Sequence, residues 1–361
     1  MALSVHIKKK LKDFELAVDF DMDEGIVGFL GSSGCGKSMT LKCIAGIETP
    51  DGRIVLDDEV LFDKKSGINL SPQKRKVGYL FQNYALFPHM TVKQNIEAGL
   101  AASGKSKQEK KEIVERLLEQ FHIKELENSY PVRISGGQQQ RAALARMMAA
   151  EPKFLLLDEP FSALDAYLKE KLMQEMMTYL NQFKKGVIMV SHSRDEVYQM
   201  CSDTVIMHQG MIETLGKTKE IFDNPGTVNA ARLTGCKNIS RATKTGTHEV
   251  YASDWDIKLT FPEQTEIPSN LTHVGIRAHE IRPVKFSDID NNTSIKLNMV
   301  DCQLKRISEA PFEMYLILQN KSGKNTSPLW WKVTKKEWKE IGETVPETVE
   351  LPVEKVILLQ H

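Results

Sequence analysis

The chain has 361 residues, more than one domain usually holds, so two domains are expected. Its 48 Lys and Arg balance 48 Asp and Glu, a formal net charge of +0 that argues against a nucleic-acid groove as the main surface. The five cysteines (35, 43, 201, 236, 302) show neither paired zinc spacing nor a disulfide framework. No apolar run approaches the roughly 20 residues that span a bilayer. No signal-peptide pattern opens the sequence. A soluble, cytosolic chain is therefore expected, and any membrane role would need another polypeptide to supply the span.

Taken in order, residues 1–82 read as a β-rich entry that leads into the first nucleotide elements. The run Lys8-Lys9-Lys10 fits a solvated strand end. Ile26-Val27-Gly28-Phe29-Leu30 is a short apolar run, as a buried parallel strand requires. Gly31-Ser32-Ser33-Gly34-Cys35-Gly36-Lys37-Ser38 follows and fits the phosphate-loop pattern G-x-x-x-x-G-K-[ST]. Its glycines let the backbone approach phosphates closely, and successive N–H groups form an anion nest. A helix beginning near Lys37 would offer its positive end to the same charge. Lys37 adds a cation for the β- and γ-phosphates, and the Ser38 hydroxyl suits Mg²⁺. The cradle is expected to extend to Met39. Cys35 inside it suggests a reducing compartment.

Arg53-Ile54-Val55-Leu56 and Glu59-Val60-Leu61-Phe62 flank Asp57-Asp58 as a hairpin. Val77-Gly78-Tyr79-Leu80-Phe81 is a further apolar stretch and ends at Gln82. Residues from about 84 to 150 are expected to be mainly helical, with a charged amphipathic helix from Ser106 to Gln120. Ile134-Ser135-Gly136-Gly137-Gln138 precedes an alanine-rich helix former, which puts Ser135 and two glycine N–H groups at a helix N-terminus suited to an anion. Phe154-Leu155-Leu156-Leu157-Asp158-Glu159-Pro160 and Val187-Ile188-Met189-Val190-Ser191-His192 are all-apolar strands that end in polar groups. The middle of a parallel sheet needs such strands, and ligands bind at their C-terminal ends.

The phosphate loop together with S-G-G-Q resembles the ATP-binding-cassette (ABC) ATPases. The resemblance implies an α/β, RecA-like nucleotide-binding domain over residues 1–235, with a helical subdomain at about 84–150. It implies that Lys37 of one copy and Ser135, Gly136, Gly137 and Gln138 of a second copy complete one ATP site, with Asp165 of Ser162-Ala163-Leu164-Asp165 in the loop that crosses between copies. It makes Glu159 the general base for the attacking water, and His192 a ligand of the γ-phosphate. Gln82 would reach Mg²⁺ and the water, and Asp158 would support Mg²⁺ beside Ser38. Ser193 departs from the Asp common after this histidine, which bears on the local hydrogen bonding. Phe14 is expected to stack on adenine, with Phe20 as its rival.

After about Gly235 the character changes. All four tryptophans (255, 330, 331, 338) lie beyond it. Alternation appears at Ile257, Leu259 and Phe261, at Ile295, Leu297 and Met299, and at Phe312, Met314, Leu316 and Leu318. Period two means half-buried antiparallel strands, so residues 236–361 are expected to form a small all-β, OB-like domain. Val274-Gly275-Ile276-Arg277-Ala278-His279-Glu280-Ile281-Arg282-Pro283 resembles the signature segment of regulatory domains behind importer ATPases. Gly235-Cys236-Lys237-Asn238 is a candidate oxyanion nest.

The segment from Gly67 to Met90 resembles most the ATP-binding subunits of bacterial oxyanion importers, particularly for molybdate. Sulfate, tungstate and carbohydrate importers share much of it. The expected partners are a second copy, transmembrane permease subunits that dock on Gln82–Met90 and, through them, an extracytoplasmic solute-binding protein. The expected cofactors are ATP and Mg²⁺, and the expected place is the cytoplasmic face of the membrane. The alternative class, a soluble ABC ATPase acting on ribosomes or DNA, would favour tandem cassettes or a long coiled coil between the motifs. The sequence has neither.

Overall fold

A computed structural model describes residues 3–162, 164, 166–183, 185–284, 298–323 and 326–360. The chain folds into two compact units, Met1–Lys219 and Glu220–His361.

The first unit runs β1 (Leu3–Lys10), β2 (Glu15–Met22), β3 (Gly25–Gly31), α1 (Lys37–Ala45), β4 (Asp51–Leu56), β5 (Glu59–Asp63), β6 (Ile68–Asn69) and β7 (Val77–Leu80). It continues with α2 (Val92–Gly99), α3 (Lys107–Gln120), α4 (Gly136–Ala149), β8 (Phe154–Asp158), α5 (Ala166–Phe183), β9 (Gly186–Ser191), α6 (Arg194–Met200), β10 (Asp203–His208) and β11 (Met211–Lys217). The described strands form one sheet of order β6-β5-β4-β1-β2-β11-β10-β3-β9-β8-β7. Its two halves differ in the way the sequence requires. β1, β2 and β4 pair antiparallel and alternate, with Leu3, Val5, Ile7, Leu16, Val18 and Phe20 buried. β10, β3, β9, β8 and β7 pair parallel, and β8 and β9 are buried along their whole length. A strand covered on both faces has no room for alternation. The hairpin at Asp57 and the helix from Ser106 stand where the sequence places them. The helices α2, α3 and α4 each open with a capping box, from Thr91, Ser106 and Ser135.

Arg75 is a buried cation, 1% exposed. Its Nη1 donates to the Cys43 and Ile44 carbonyls at 2.8 Å each, and its Nε donates to Leu70 O at 2.9 Å. The Cys43 and Ile44 carbonyls belong to the last turn of α1, the helix behind the phosphate loop. Burial pushes the guanidinium below its ordinary value, while the negative end of α1 favours the charge. Arg75→Met would leave buried acceptors unpaired at a cost of about 3 kcal/mol. The melting temperature of the first unit should fall by roughly 6–12 °C. An unchanged melting temperature would show that water replaces the guanidinium at no cost.

The second unit takes in α7 (Thr218–Asp223) from Glu220 onward. It continues through α8 (Val228–Leu233), β12 (Asn238–Lys244), β13 (Glu249–Ala252), β14 (Ile257–Thr260), β15 (His273–Ile276) and β16 (Arg282–Pro283). Then come β17 (Met299–Glu309), β18 (Glu313–Asn320), β19 (Leu329–Thr334), α9 (Lys335–Glu340), β20 (Thr348–Glu350) and β21 (Ile357–Leu359). The strands form sheets of order β14-β13-β12-β15-β21 and β16-β20-β17-β18-β19 around a core that includes Trp255, Trp331, Leu259 and Leu316. Arg277 holds α7 and α8 to this unit: its Nη1 donates to Thr234 O at 2.7 Å, and its Nη2 donates to the Phe222 carbonyl.

Three expectations here are corrected. Met299 is exposed, and Val300 and Cys302 turn inward in its place, because β17 enters the sheet in the opposite phase. Ile295 and Leu297 lie outside the described residues. Phe312 is 82% exposed because it sits in the turn ahead of β18, so the buried alternation begins at Met314. The candidate nest is also spent internally. The Gly235 and Cys236 N–H groups donate to Arg232 O (3.1 Å) and Ala231 O (2.8 Å), and Lys237 Nζ lies 4.4 Å from the Tyr315 ring centre and 4.9 Å from that of Trp330.

Candidate nucleotide-binding and hydrolysis site

β3 delivers Gly31 to the C-terminal edge of the parallel strands, and the loop turns there into α1. Gly34 and Gly36 have φ of 78° and 108°, in the left-handed region that glycine tolerates. Gly31 is needed for space instead, since a Cβ there would lie 2.6 Å from Met207 O. Ser32, Ser33 and Gly34 are exposed, while Cys35 and Lys37 are buried. Ser38 and Met39 are half-buried. Lys37 Nζ donates to Gly31 O at 2.8 Å and to Ser32 O at 2.9 Å, so the loop's own carbonyls hold the cation at the loop.

Ser38 Oγ donates to Asp158 Oδ1 at 2.7 Å, which joins the start of α1 to the end of β8. Tyr79 OH donates to the other carboxylate oxygen, Asp158 Oδ2, at 2.8 Å. Burial, with Asp158 beside it, pushes the Tyr79 phenol well above its ordinary value, so it stays a donor. Tyr79 was not singled out from the sequence. Its register on β7, opposite Leu156 of β8, brings it there. The pair of hard oxygens on Ser38 and Asp158 fits Mg²⁺, which takes one or two protein oxygens and leaves its other positions to water and phosphate. No group of three or more His, Cys, Asp or Glu suited to a metal occurs among the described residues.

Glu159 follows β8 with φ 49°, a left-handed conformation rare for a non-glycine residue. Its N–H donates to Val190 O at 3.0 Å, and Ser162 Oγ donates to its carbonyl at 3.0 Å. This turn sends the side chain to meet two of the expected residues. Gln82 Nε2 donates to Glu159 Oε2 at 2.9 Å, and His192 Nε2 meets Glu159 Oε1. Three residues from the ends of three parallel strands thus converge.

Phe14 is half-buried and rests on Gly210, where a Cβ would stand 2.6 Å from its ring. A Cβ on Gly36 of the phosphate loop would lie 3.7 Å from Gly210 Cα, so Phe14 and the loop flank the same turn. Phe20 is 4% exposed and packs edge-to-face on Phe29, so it belongs to the core and is no rival.

Ser135 is the exposed N-cap of α4. Its Oγ accepts from Gln138 N–H at 3.4 Å, and Gln138 Oε1 accepts from Ser135 N–H at 2.9 Å. Gly137 has a packing reason, since a Cβ there would lie 3.0 Å from Leu172. Gly136 has a looser surround, with Leu164 at 3.5 Å. Asp165 lies outside the described residues.

In the expected docking segment Phe87, Pro88, His89 and Met90 are exposed and Leu86 is half-buried. Tyr84 differs from expectation. Its side chain is buried, its OH reaches Pro160 O at 3.5 Å, and Arg146 donates to its carbonyl at 2.8 Å and to Ala85 O. Left-handed backbone at Tyr84 and Ala85, with φ of 60° and 44°, turns the ring inward.

A mixed sheet whose parallel strands end at a phosphate loop, a carboxylate at Ser38 and a second carboxylate met by Gln82 and His192 defines a phosphate-loop ATPase. The ABC transporter family model matches residues 16–162. The chain is 36% identical over 295 residues to the sulfate/thiosulfate import ATP-binding protein CysA of Mesostigma viride, covering 81% of each. It is 38% identical over 251 residues to the spermidine/putrescine import ATP-binding protein PotA of Oleidesulfovibrio alaskensis, covering 69% of this chain and 66% of that one. Among solved structures, the dimeric ATP-binding cassette MJ0796 bound to ADP and Pi matches with a TM-score of 0.51 at 26% identity, over 60% of this chain and 99% of that one. The structure of cbiO1 from Clostridium perfringens matches with a TM-score of 0.52 at 25% identity, over 61% and 90%. The chain belongs to the ATP-binding subunits of ABC transporters, of the importer type, which hydrolyse ATP to drive transport. No helix among the described residues is long and apolar enough to cross a membrane.

Proposed function

We propose that this ATPase works as a pair of copies on the cytoplasmic face of a membrane, where it energises uptake of a small solute through separate permease subunits supplied by an extracytoplasmic binding protein. The observation that carries the reading is the meeting of Glu159, Gln82 and His192 beside the phosphate loop, in a chain so similar to import ATP-binding proteins. The exposed apolar and aromatic run Phe87–Met90 follows Gln82 and supports a permease helix docking there.

In this reading the loop N–H groups and the N-terminus of α1 hold the phosphates, Lys37 turns from the loop carbonyls to the β- and γ-oxygens, and Phe14 stacks on adenine. Ser38 and Asp158, with Gln82, hold Mg²⁺, which offsets phosphate charge when bound. Glu159 takes the proton of the attacking water, and Gln82 aligns that water. His192 donates to the γ-phosphate. Ser135, Gly136, Gly137 and Gln138 of the second copy close the site, with Asp165 in the crossing loop. Residues 236–361 form a regulatory domain that pairs across the dimer.

The cargo we infer is an oxyanion of the sulfate or thiosulfate class. CysA relatives support it, including one from Thermosynechococcus vestitus that is 38% identical over 282 residues. The expectation of molybdate finds no support in the names of these relatives. PotA supports a second reading, polyamine import. The test is to purify the chain with its partners from membranes and measure ATPase in liposomes, with the binding protein and sulfate, thiosulfate, molybdate or spermidine. Stimulation by sulfate or thiosulfate is expected. Stimulation by molybdate alone or spermidine alone would replace that cargo, and absence of any membrane partner would sink the importer reading.

A further inference from the structure

Glu196 stands in the first turn of α6, 5% exposed. A carboxylate so buried is costly unless it is paired and hydrogen-bonded. Its Oε1 meets Lys169 Nζ, which comes from α5. Its Oε2 accepts from Ser191 Oγ, at the last residue of β9. Ser191 Oγ accepts in turn from Ser193 N–H at 2.9 Å, and Ser193 Oγ caps α6 by accepting from Glu196 N–H at 3.4 Å. The residue enclosed by this ring of bonds is His192, whose imidazole meets the Glu159 carboxylate. The Ser193 hydroxyl therefore supplies the helix cap, and of the two acids in this turn Glu196 is the buried one, while Asp195 faces outward and meets Arg194.

The frame behind the ring is tight. A Cβ on Gly28 of β3 would stand 2.7 Å from Val197 Cγ1 and 2.8 Å from Cys201 Sγ, so α6 lies against the strand that feeds the phosphate loop. α6 is thus seated on β3, the His192 turn is bonded to α6 through Glu196, and Lys169 bonds the same carboxylate to α5. Lys169 lies in the first turn of α5, which follows Ser162-Ala163-Leu164-Asp165 in the sequence.

We propose that Glu196, paired with Lys169, is a positioning residue for ATP hydrolysis: its buried carboxylate fixes the turn that presents His192 and couples that turn to α5. Neither side chain is required to touch ATP. Loss of either charge leaves the other without its partner, frees the Ser191–Ser193 turn, and lets the imidazole leave its place beside Glu159. The proposal rests on the reading of His192 as a ligand of the γ-phosphate.

The test compares full-length Glu196→Gln, Lys169→Met, Lys169→Arg and His192→Ala for steady-state ATPase and ATP binding, with rates expressed per mole of protein that binds ATP. Glu196→Gln and Lys169→Met should each lower kcat about 10- to 100-fold while KM for ATP stays within about twofold. Their double variant should be no worse than the worse single one, because they break one unit. Lys169→Arg should restore most of the rate. A purely structural pair would lower the yield of folded protein and leave kcat per folded molecule intact. That result, or a loss of rate matched by a loss of ATP binding, overturns the proposal. If Glu196→Gln fails to fold, the lysine variants carry the test, and a normal kcat in Lys169→Met overturns it. Normal kcat in His192→Ala would instead sink the reading of His192. Loss in His192→Ala with normal rates in the other variants would sink this proposal alone.

Discussion

Glu159→Gln is expected to lower ATP turnover roughly 10²- to 10⁴-fold, the usual contribution of a positioned general base, while ATP affinity stays near that of the native chain. The substitution keeps the shape of the side chain, so Gln82 Nε2 still finds an oxygen acceptor where Glu159 Oε2 now accepts at 2.9 Å. The backbone turn is held by the Glu159 N–H on Val190 O and by Ser162 on the Glu159 carbonyl, and no side-chain atom of residue 159 enters into either bond. What disappears is the basic oxygen beside His192. The loop and Lys37, which would hold the phosphates, and Ser38, which would hold Mg²⁺, are left unchanged, so ATP should bind and hold two copies together without being consumed. Phosphate release and gel filtration with MgATP read both effects. Native turnover with no ATP-held dimer would remove Glu159 from the chemistry.

Ser135→Arg should cost at least about 10²-fold in hydrolysis, the scale of losing one preorganised donor to developing charge, although each copy still binds ATP through its own loop. The argument needs a control because Ser135 is also the cap of α4, and losing a cap by itself costs only about 1 kcal/mol. Ser135→Asp separates the two roles. Aspartate caps a helix as well as serine does, yet it sets a negative charge where the partner's γ-phosphate would lie. Fold stability should therefore be kept in Ser135→Asp and hydrolysis lost in both variants, with ATP binding by the isolated copy intact. Full activity in Ser135→Asp would reduce Ser135 to its helix cap and remove the composite site.

Much of this was legible because the site is built from strand ends. Leu156-Leu157-Asp158-Glu159 and Met189-Val190-Ser191-His192 each switch from apolar to polar where the strand leaves the core, and the glycines of the phosphate loop mark the tight turn between β3 and α1. The directions of side chains after irregular backbone were not legible. Glu159, Tyr84 and Ala85 adopt positive φ, which no neighbouring residue announces, and so Tyr84, placed by its sequence in the expected docking segment, is buried instead. Period two gives a face but not its phase. In β17 that phase is set by pairing with β20 and β18, and a register shift between Leu304 and Arg306 resets it again. Contacts across elements, such as Tyr79 on Asp158 or Lys169 on Glu196, join residues far apart in the chain. Each member taken singly looks like any strand tyrosine or helix lysine.

The strand order has a consequence for how the chain comes into being. β1, β2 and β4 are neighbours in the sheet and all lie within residues 3–56, so they can assemble early in synthesis. β3 cannot, because its parallel neighbours are β9 and β10, from Gly186 and Asp203 onward. Closing so long a loop is entropically slow, and topologies dominated by distant pairings fold late. Until Gly186–Ser191 has been synthesised the strand that carries the phosphate loop has two open edges, and one stays open until the segment through Met207 follows; an apolar strand with unpaired edges makes a nascent chain prone to aggregate.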